Sequence, residues 1–468
     1  MKNLYLPCTE KNLLDTFKKD TVGRNHFLRH FIEALNHLDE CTIIALDSQW
    51  GSGKTFFVKQ VKYILDATNP FLKATDLPRP QILEDFERFW KADELRWIRQ
   101  RARVVRDTDL EQEQVDISHF CIYYDAWKHD TEGDPLLSLV YDIYAHMKMD
   151  YSFSEIKTPK ETFKDFMSVS FPFFNQGGIS LSPLPLLCDW VVRDKPFEEI
   201  QAAINMEQKI HDFLDTILPE KGNRLVIFID ELDRCNPTFA VRLLEKIKHY
   251  FNHEDITFVL SIDANELEAT IKHYYGSEFN AHLYLDKFLD YRFSLPKVKT
   301  SNYLSLVDEK IGRLPVVRFL VDEYCFQMRQ ITRYVQLLKV ALPSRYYENE
   351  FDMDKTTSFI YRVIVPFLIA LKIYDQASYN RFVNGNDYSP LKIFDTEKGN
   401  LFIHGCLYTG TEVAVSIDKS LQKFYSALFQ GSHQGASGVV GELTILGTHR
   451  ENVDEIISFV SDFSEYVD

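Results

Sequence analysis

At 468 residues, the chain exceeds the roughly 250–300 residues at which a single hydrophobic core stops growing, so at least two structural units are expected. Hydrophobic residues at 45%, charged residues at 26%, and only 18 Gly and 17 Pro exclude a disordered or fibrous chain. With 53 basic against 69 acidic residues the net charge is −16, so no overall positive field gathers phosphates, and any nucleic-acid contact would have to be local.

The seven cysteines are scattered and form no Cys-x-x-Cys pair, which argues against a disulfide framework or a zinc cage and fits a reducing cytoplasm. Met1 to Glu10 lacks a basic start followed by an apolar run, so no secretory signal is expected. Of the two most apolar stretches, Phe171 to Val192 is interrupted by Asn175, Gln176, Gly177 and Gly178. The other, Val363 to Tyr374, is too short to cross about 30 Å of hydrocarbon, and no transmembrane helix is expected.

In chain order, Cys41 to Asp47 reads as a buried strand, and Gly51-Ser-Gly-Lys-Thr55 leads into a helical pattern at Phe57, Val58, Val61, Ile64 and Leu65. Residues 66 to 112 read as highly charged helix. Ile117 to Tyr124 resumes a strand that ends at Asp125-Ala-Trp127, and Leu136 to Met147 reads as an amphipathic helix. Residues 150–195 carry Phe and Pro without a steady period and read as an insertion, as does the stretch near 66–115.

A helix near Phe197 to Leu218 precedes the strand Arg224 to Asp230. The helix Phe239 to Phe251 then leads to the strand Ile256 to Ile262, and Tyr291 to Pro296 is a last extended run. Five strands alternating with helices predict an α/β fold with a mainly parallel sheet over residues 1–300. From Ser301 the pattern is helical (Leu304 to Leu314, Cys325 to Ala341, Ser358 to Tyr374, Ser420 to Phe429), with a glycine-rich loop at Gly431 to Gly441. Residues 301–468 therefore read as a second, mostly helical region.

The loop at 51–55 offers backbone N–H groups, a helix N-terminus, an ammonium and a hydroxyl together, which suits a polyphosphate with magnesium. Lys54 would neutralise the β and γ phosphates, Thr55 would ligate the metal, and Gly51 and Gly53 would let the backbone approach the oxygens. The full pattern asks for glycine six positions before the lysine, where this chain has Ser48. Downstream, Asp230 and Glu231 end a hydrophobic strand, the first suited to holding magnesium and the second to orienting an attacking water. Asp263 ends the next strand, either sensing the γ-phosphate or water, or capping the helix that begins near Asn265.

Two further features are weaker. Arg329 and Arg333 lie four apart on one predicted helix face, an arrangement also common on solvated helices. Arg96, Arg99, Arg101, Arg103 and Arg106, interleaved with Trp90 and Trp97, form the one basic stretch, but neighbouring acids favour a solvated helix with internal ion pairs over a nucleic-acid or membrane surface.

Gln49-Trp-Gly-Ser-Gly-Lys-Thr55, Tyr124-Asp-Ala-Trp127, Ile229-Asp-Glu-Leu-Asp-Arg-Cys235, Ser261-Ile-Asp263 and Tyr284-Leu-Asp-Lys287 together resemble the KAP family of P-loop NTPases over about residues 25 to 300. The resemblance implies an ATPase fold of the additional-strand class that binds ATP and Mg2+. It points to Trp50, Gly51, Ser52, Gly53, Lys54, Thr55 and Phe56 around the nucleotide, Thr55 and Asp230 at the metal, and Lys54, Glu231, Asp263 and Arg234 in catalysis.

It further implies a hydrolytic switch or motor, often in bacterial defence against phage or mobile elements, working as a homo-oligomer with a partner protein or effector. Arg234, Lys287 or Arg329 would then supply a basic finger. For Arg234 the alternative is a salt bridge to Asp230 or Asp233 that fixes its loop. Many members of the family carry transmembrane helices between the two nucleotide motifs, which the interrupted stretch here does not reproduce. The rival reading is a non-hydrolysing scaffold that holds nucleotide structurally, for which Ser48 is the best support.

Overall fold

The computed structural model describes residues 7–71 except 39 and 70, 101–103, 114–149 except 117, 132 and 133, 222–342 and 360–407. It also describes individual positions between 208 and 218 and between 418 and 426. These residues form two compact units, one of 8–20 with 24–296 and the other of 1–7, 21–23 and 297–468.

The first unit is built on a sheet of β1 (Thr42–Asp47), β4 (His119–Asp125), β5 (Arg224–Asp230), β6 (Ile256–Ile262) and β7 (Tyr291–Ser294). Every residue of β5 and of β6 is buried, as continuous apolar runs require when a parallel sheet is covered on both faces. The order is β4-β5-β6-β1-β7, and each neighbouring pair is parallel. The strand β6 therefore lies between the strand that feeds the glycine loop and the strand that ends in the acidic pair, the extra strand that the resemblance implies.

Register then aligns the chemistry. Asp47 stands opposite Ile262, Asp230 opposite Ser261, and Asp125 opposite Asp230, so the carboxylates that end three strands share the C-terminal edge of the sheet, with Asp263 directly after Ile262. Among the described residues the unit also holds helices α1 (Glu10–Lys18), α2 (Asn25–Asn36), α3 (Lys54–Thr68), α4 (Ala126–His129), α5 (Pro135–Met149), α6 (Pro237–Tyr250), α7 (Ala264–Tyr275) and α8 (Ala281–Asp286). The start of α6 combines Pro237 in its first turn with an Asn236 side chain that accepts the Thr238 N–H.

The charged stretch departs from expectation. Of the helix expected from 66 to 112, residues 72–100 and 104–112 lie outside the described residues, and α3 ends at Thr68, where Asn69 turns extended and its side-chain amide donates to the carbonyl of His119. Arg101–Arg103 (β2) then pairs antiparallel with Gln114–Asp116 (β3), two short runs of alternating character that suit a strand period better than a helical one. Of the basic stretch, Arg101 and Arg103 thus lie on a strand, and Arg96, Arg99 and Arg106 lie outside the described residues. So do the insertion at 150–195, the apolar stretch 171–192 and the glycine-rich loop 431–441.

The second unit is helical where described: α9 (Thr300–Val307), α10 (Glu309–Gly312), α11 (Pro315–Glu323), α12 (Met328–Ala341), α13 (Val365–Tyr374), α14 (Gln376–Val383) and α15 (Glu397–Leu407). The single helix expected over Leu304 to Leu314 is broken at Asp308, whose extended backbone lets its carboxylate cap the Ile311 N–H at 2.9 Å. Helix α12 starts three residues later than expected. Cys325 takes a positive φ, and Gln327 and Gln330 form a reciprocal cap behind it. The apolar stretch 363–374 is a core helix of this unit, with Val365 to Leu371 all buried. Among the described residues no helix is long and apolar enough to cross a membrane.

Candidate nucleotide site

The loop between β1 and α3 needs its glycines. Gly51 and Gly53 take φ of 80° and 93°, a region that side chains rarely occupy, and Gly53 is the N-cap of α3. Ser48 has no such requirement: its φ is not positive, so the missing glycine of the full pattern falls where the backbone does not demand one. Its carbonyl accepts from the Lys54 ammonium at 2.5 Å, and that of Gln49 does so at 3.3 Å. Burial lowers the pKa of Lys54, opposed by the negative charge of Asp233, Asp263, Asp230 and Glu231. Ser52 is buried, with a hydroxyl that finds no protein partner. Thr55 follows in the first turn of the helix and Phe56 is packed in the core.

The acidic strand delivers its pair differently. Asp230 is buried and held from two sides: its Oδ1 accepts the Glu231 N–H at 3.1 Å and its Oδ2 accepts the Tyr123 hydroxyl at 2.9 Å. Glu231 then turns the chain, adopting left-handed φ 60° and ψ 23°, a conformation that costs a residue with a Cβ roughly 1–2 kcal/mol. The turn leads into the short 3-10 segment Leu232–Arg234, which brings Arg234 Nε to 2.5 Å from Glu231 Oε2. Arg234 therefore pairs with Glu231, not with Asp230 or Asp233. Burial, followed by the adjacent Asp230 charge, pushes the Glu231 carboxyl up to about 7, with Arg234 pulling against both.

Asp263 stands at the N-cap position of α7, yet its side chain makes no capping bond. That task falls to Asp47, whose Oδ1 accepts the Ala264 N–H at 2.9 Å while its Oδ2 pairs with Arg292 at 2.8 Å. The capping alternative for Asp263 is thus set aside. Its own backbone N–H donates to Asp233 Oδ2 at 2.8 Å, and the same oxygen takes the Trp50 indole N–H at 2.6 Å. Asp233 is buried, which raises its pKa against these two donors and the nearby Lys54.

The structure brings Lys54, Asp230, Glu231, Asp233 and Asp263 into one electrostatic cluster and Arg234 onto Glu231. Lys287 follows α8 and is exposed, and Arg329 and Arg333 are half-buried on α12 of the other unit. Three participants were not singled out from the sequence. Tyr123 lies two residues before the end of its strand, so the period-2 alternation that places Asp125 also places Tyr123. Asp47 carries the same signal as Asp230, a carboxylate ending a buried run. Asp233 gives no sequence signal, because its two donors come from distant segments.

The chain is similar to the Aeropyrum pernix ORC2 protein solved in ADPNP–ADP complexes, at 10% identity and a TM-score of 0.30, with 94% of each chain covered. It is also similar to C. elegans PCH-2, at 9% identity and a TM-score of 0.22, over 89% of this chain and 71% of the other. No curated protein matches the sequence. The model of the KAP family P-loop domain matches residues 24–315, more than half of the chain and the region containing every strand of the sheet. The chain belongs to the KAP family of P-loop NTPases.

Proposed function

We propose that the chain hydrolyses ATP by water attack on the γ-phosphoryl group and uses the nucleotide state to switch its relation to partners. The observation that carries this reading is the shared sheet edge, which puts Lys54 in the field of Asp230, Glu231, Asp233 and Asp263. In this reading the loop 51–55 cradles the phosphates, and the buried, unpartnered Ser52 hydroxyl suits a site that takes in oxygen ligands. Thr55 and Asp230 offer the hard oxygen donors that magnesium prefers and would hold it, and the bound ion would neutralise developing phosphate charge. Lys54 releases the carbonyls of Ser48 and Gln49 to meet phosphate. Glu231 orients water and takes its proton, and Asp263, free of helix capping, faces the same pocket.

The test is phosphate release by the purified chain with magnesium and ATP, compared with Lys54→Ala. Turnover in the parent that is lost in the variant supports the reading, and a parent that retains nucleotide without turnover contradicts it.

Family membership is also what points to a homo-oligomer with a partner protein or effector, and to a role in defence against phage or mobile elements. Plating of phage on cells carrying the parent or Lys54→Ala tests the latter. Free thiols at Cys41, Cys121 and Cys235 support a cytoplasmic placement.

A further inference from the structure

Three segments meet around one guanidinium. Arg234 Cζ lies 5.7 Å from the ring centroid of Trp50, which precedes the phosphate loop, and 5.7 Å from that of Trp127, in α4 after β4. Both indoles are exposed, at 42% and 54%, while the Arg234 side chain between them is 23% exposed. Each distance is within the range in which a cation is attracted to an aromatic face. The third neighbour of the guanidinium is the Glu231 carboxylate.

Exposed tryptophans need a reason, because burying an indole gains far more than leaving it in water. Here neither ring is packed in the core, and what the two share is Arg234. An arginine on a surface turn loses rotamer freedom when it is fixed, and one ion pair rarely repays that. Two ring faces add attraction for a guanidinium whose Nε lies 2.5 Å from Glu231 Oε2. Glu231 already sits on a strained left-handed residue, so its carboxylate direction depends on what holds it.

We propose that Trp127 is a positioning residue for hydrolysis: with Trp50 it holds the Arg234 guanidinium, and through it aims the Glu231 carboxylate at the attacking water. This rests on the hydrolytic reading given above. Trp50 also borders the phosphate loop and bonds to Asp233, so Trp127 is the cleaner probe.

The experiment measures ATP turnover, KM and thermal midpoint for the parent, Trp127→Ala, Trp127→Phe, Arg234→Ala and the double variant Trp127→Ala/Arg234→Ala. Expected is a loss of about tenfold in kcat for Trp127→Ala at unchanged KM and midpoint, restoration to within about twofold by Trp127→Phe, which keeps a ring face, and no further loss from Trp127→Ala once Arg234 is gone. Parental kcat in Trp127→Ala would overturn the proposal while leaving the hydrolytic reading intact. So would an equal loss with and without Arg234, or a lowered midpoint that Trp127→Phe does not restore. A parent without turnover would overturn the hydrolytic reading, and this one with it.

Discussion

Trp50 and Asp233, far apart in sequence, are joined by an indole N–H donated to Oδ2 at 2.6 Å. Because that oxygen also takes the Asp263 N–H at 2.8 Å, one carboxylate ties the entry of the phosphate loop to the end of β6. It is a buried acid whose burial raises its pKa against two donors and Lys54, and removing it leaves both donors without their acceptor.

Asp233→Ala is therefore expected to destabilise the protein by about 1–3 kcal/mol, mainly through the buried Asp263 amide, since the half-exposed indole reaches water. Asp233→Asn keeps an acceptor and should cost less than about 1 kcal/mol. Urea unfolding of the two variants checks the order, and equal stabilities would contradict the tie.

Lys54→Ala should weaken binding of a fluorescent ATP analogue by about 10–100-fold, the range expected when a charge-assisted contact to phosphate is lost. Unchanged affinity would remove the loop 51–55 from the site.

Although Glu231 is paired with Arg234, burial and the Asp230 charge outweigh that pair, and its consequence for stability is that of an acid with a raised pKa. Its folded pKa, about 7, lies above its ordinary 4.5, so between those values the folded chain binds more protons than the unfolded one. Stability arising from this group is fully present below about pH 4.5 and is lost as pH rises through about 7. Glu231→Gln lacks that slope. In metal-free buffer its thermal midpoint, relative to the parent, should be higher at pH 7.5 than at pH 5, and a constant difference would contradict the assignment.

The sheet was legible because β1, β5 and β6 are uninterrupted apolar runs, and the phosphate loop because Gly51 and Gly53 serve a local turn. Asp230 and Asp263 could be placed from strand ends alone. What escaped the sequence depends on distant partners: Asp233 is defined by Trp50 and Asp263, and the helix-capping task that was one of two alternatives for Asp263 falls to Asp47 on the neighbouring strand. The break at Asn69 and the pairing of β2 with β3 were obscured by charge, since alternating arginines satisfy a solvated helix and a short strand alike. Similarly, Trp127 announced itself only as part of a motif, and Arg234 had two plausible acids beside the one it meets.

Self-association is checked by light scattering with and without ATP at micromolar concentration. A mass above that of one chain is expected, and a monomer that hydrolyses ATP at full rate would argue that one chain completes its own site.

The proposed division of labour between the adjacent carboxylates is checked by measuring nucleotide affinity and turnover of Asp230→Asn and Glu231→Gln side by side at saturating magnesium. Glu231→Gln is expected to keep its affinity and lose about 10²–10⁴-fold in turnover, the usual contribution of a positioned base. Asp230→Asn should lose metal-dependent affinity as well. Parental turnover in Glu231→Gln, or equal losses of affinity in both variants, would contradict it.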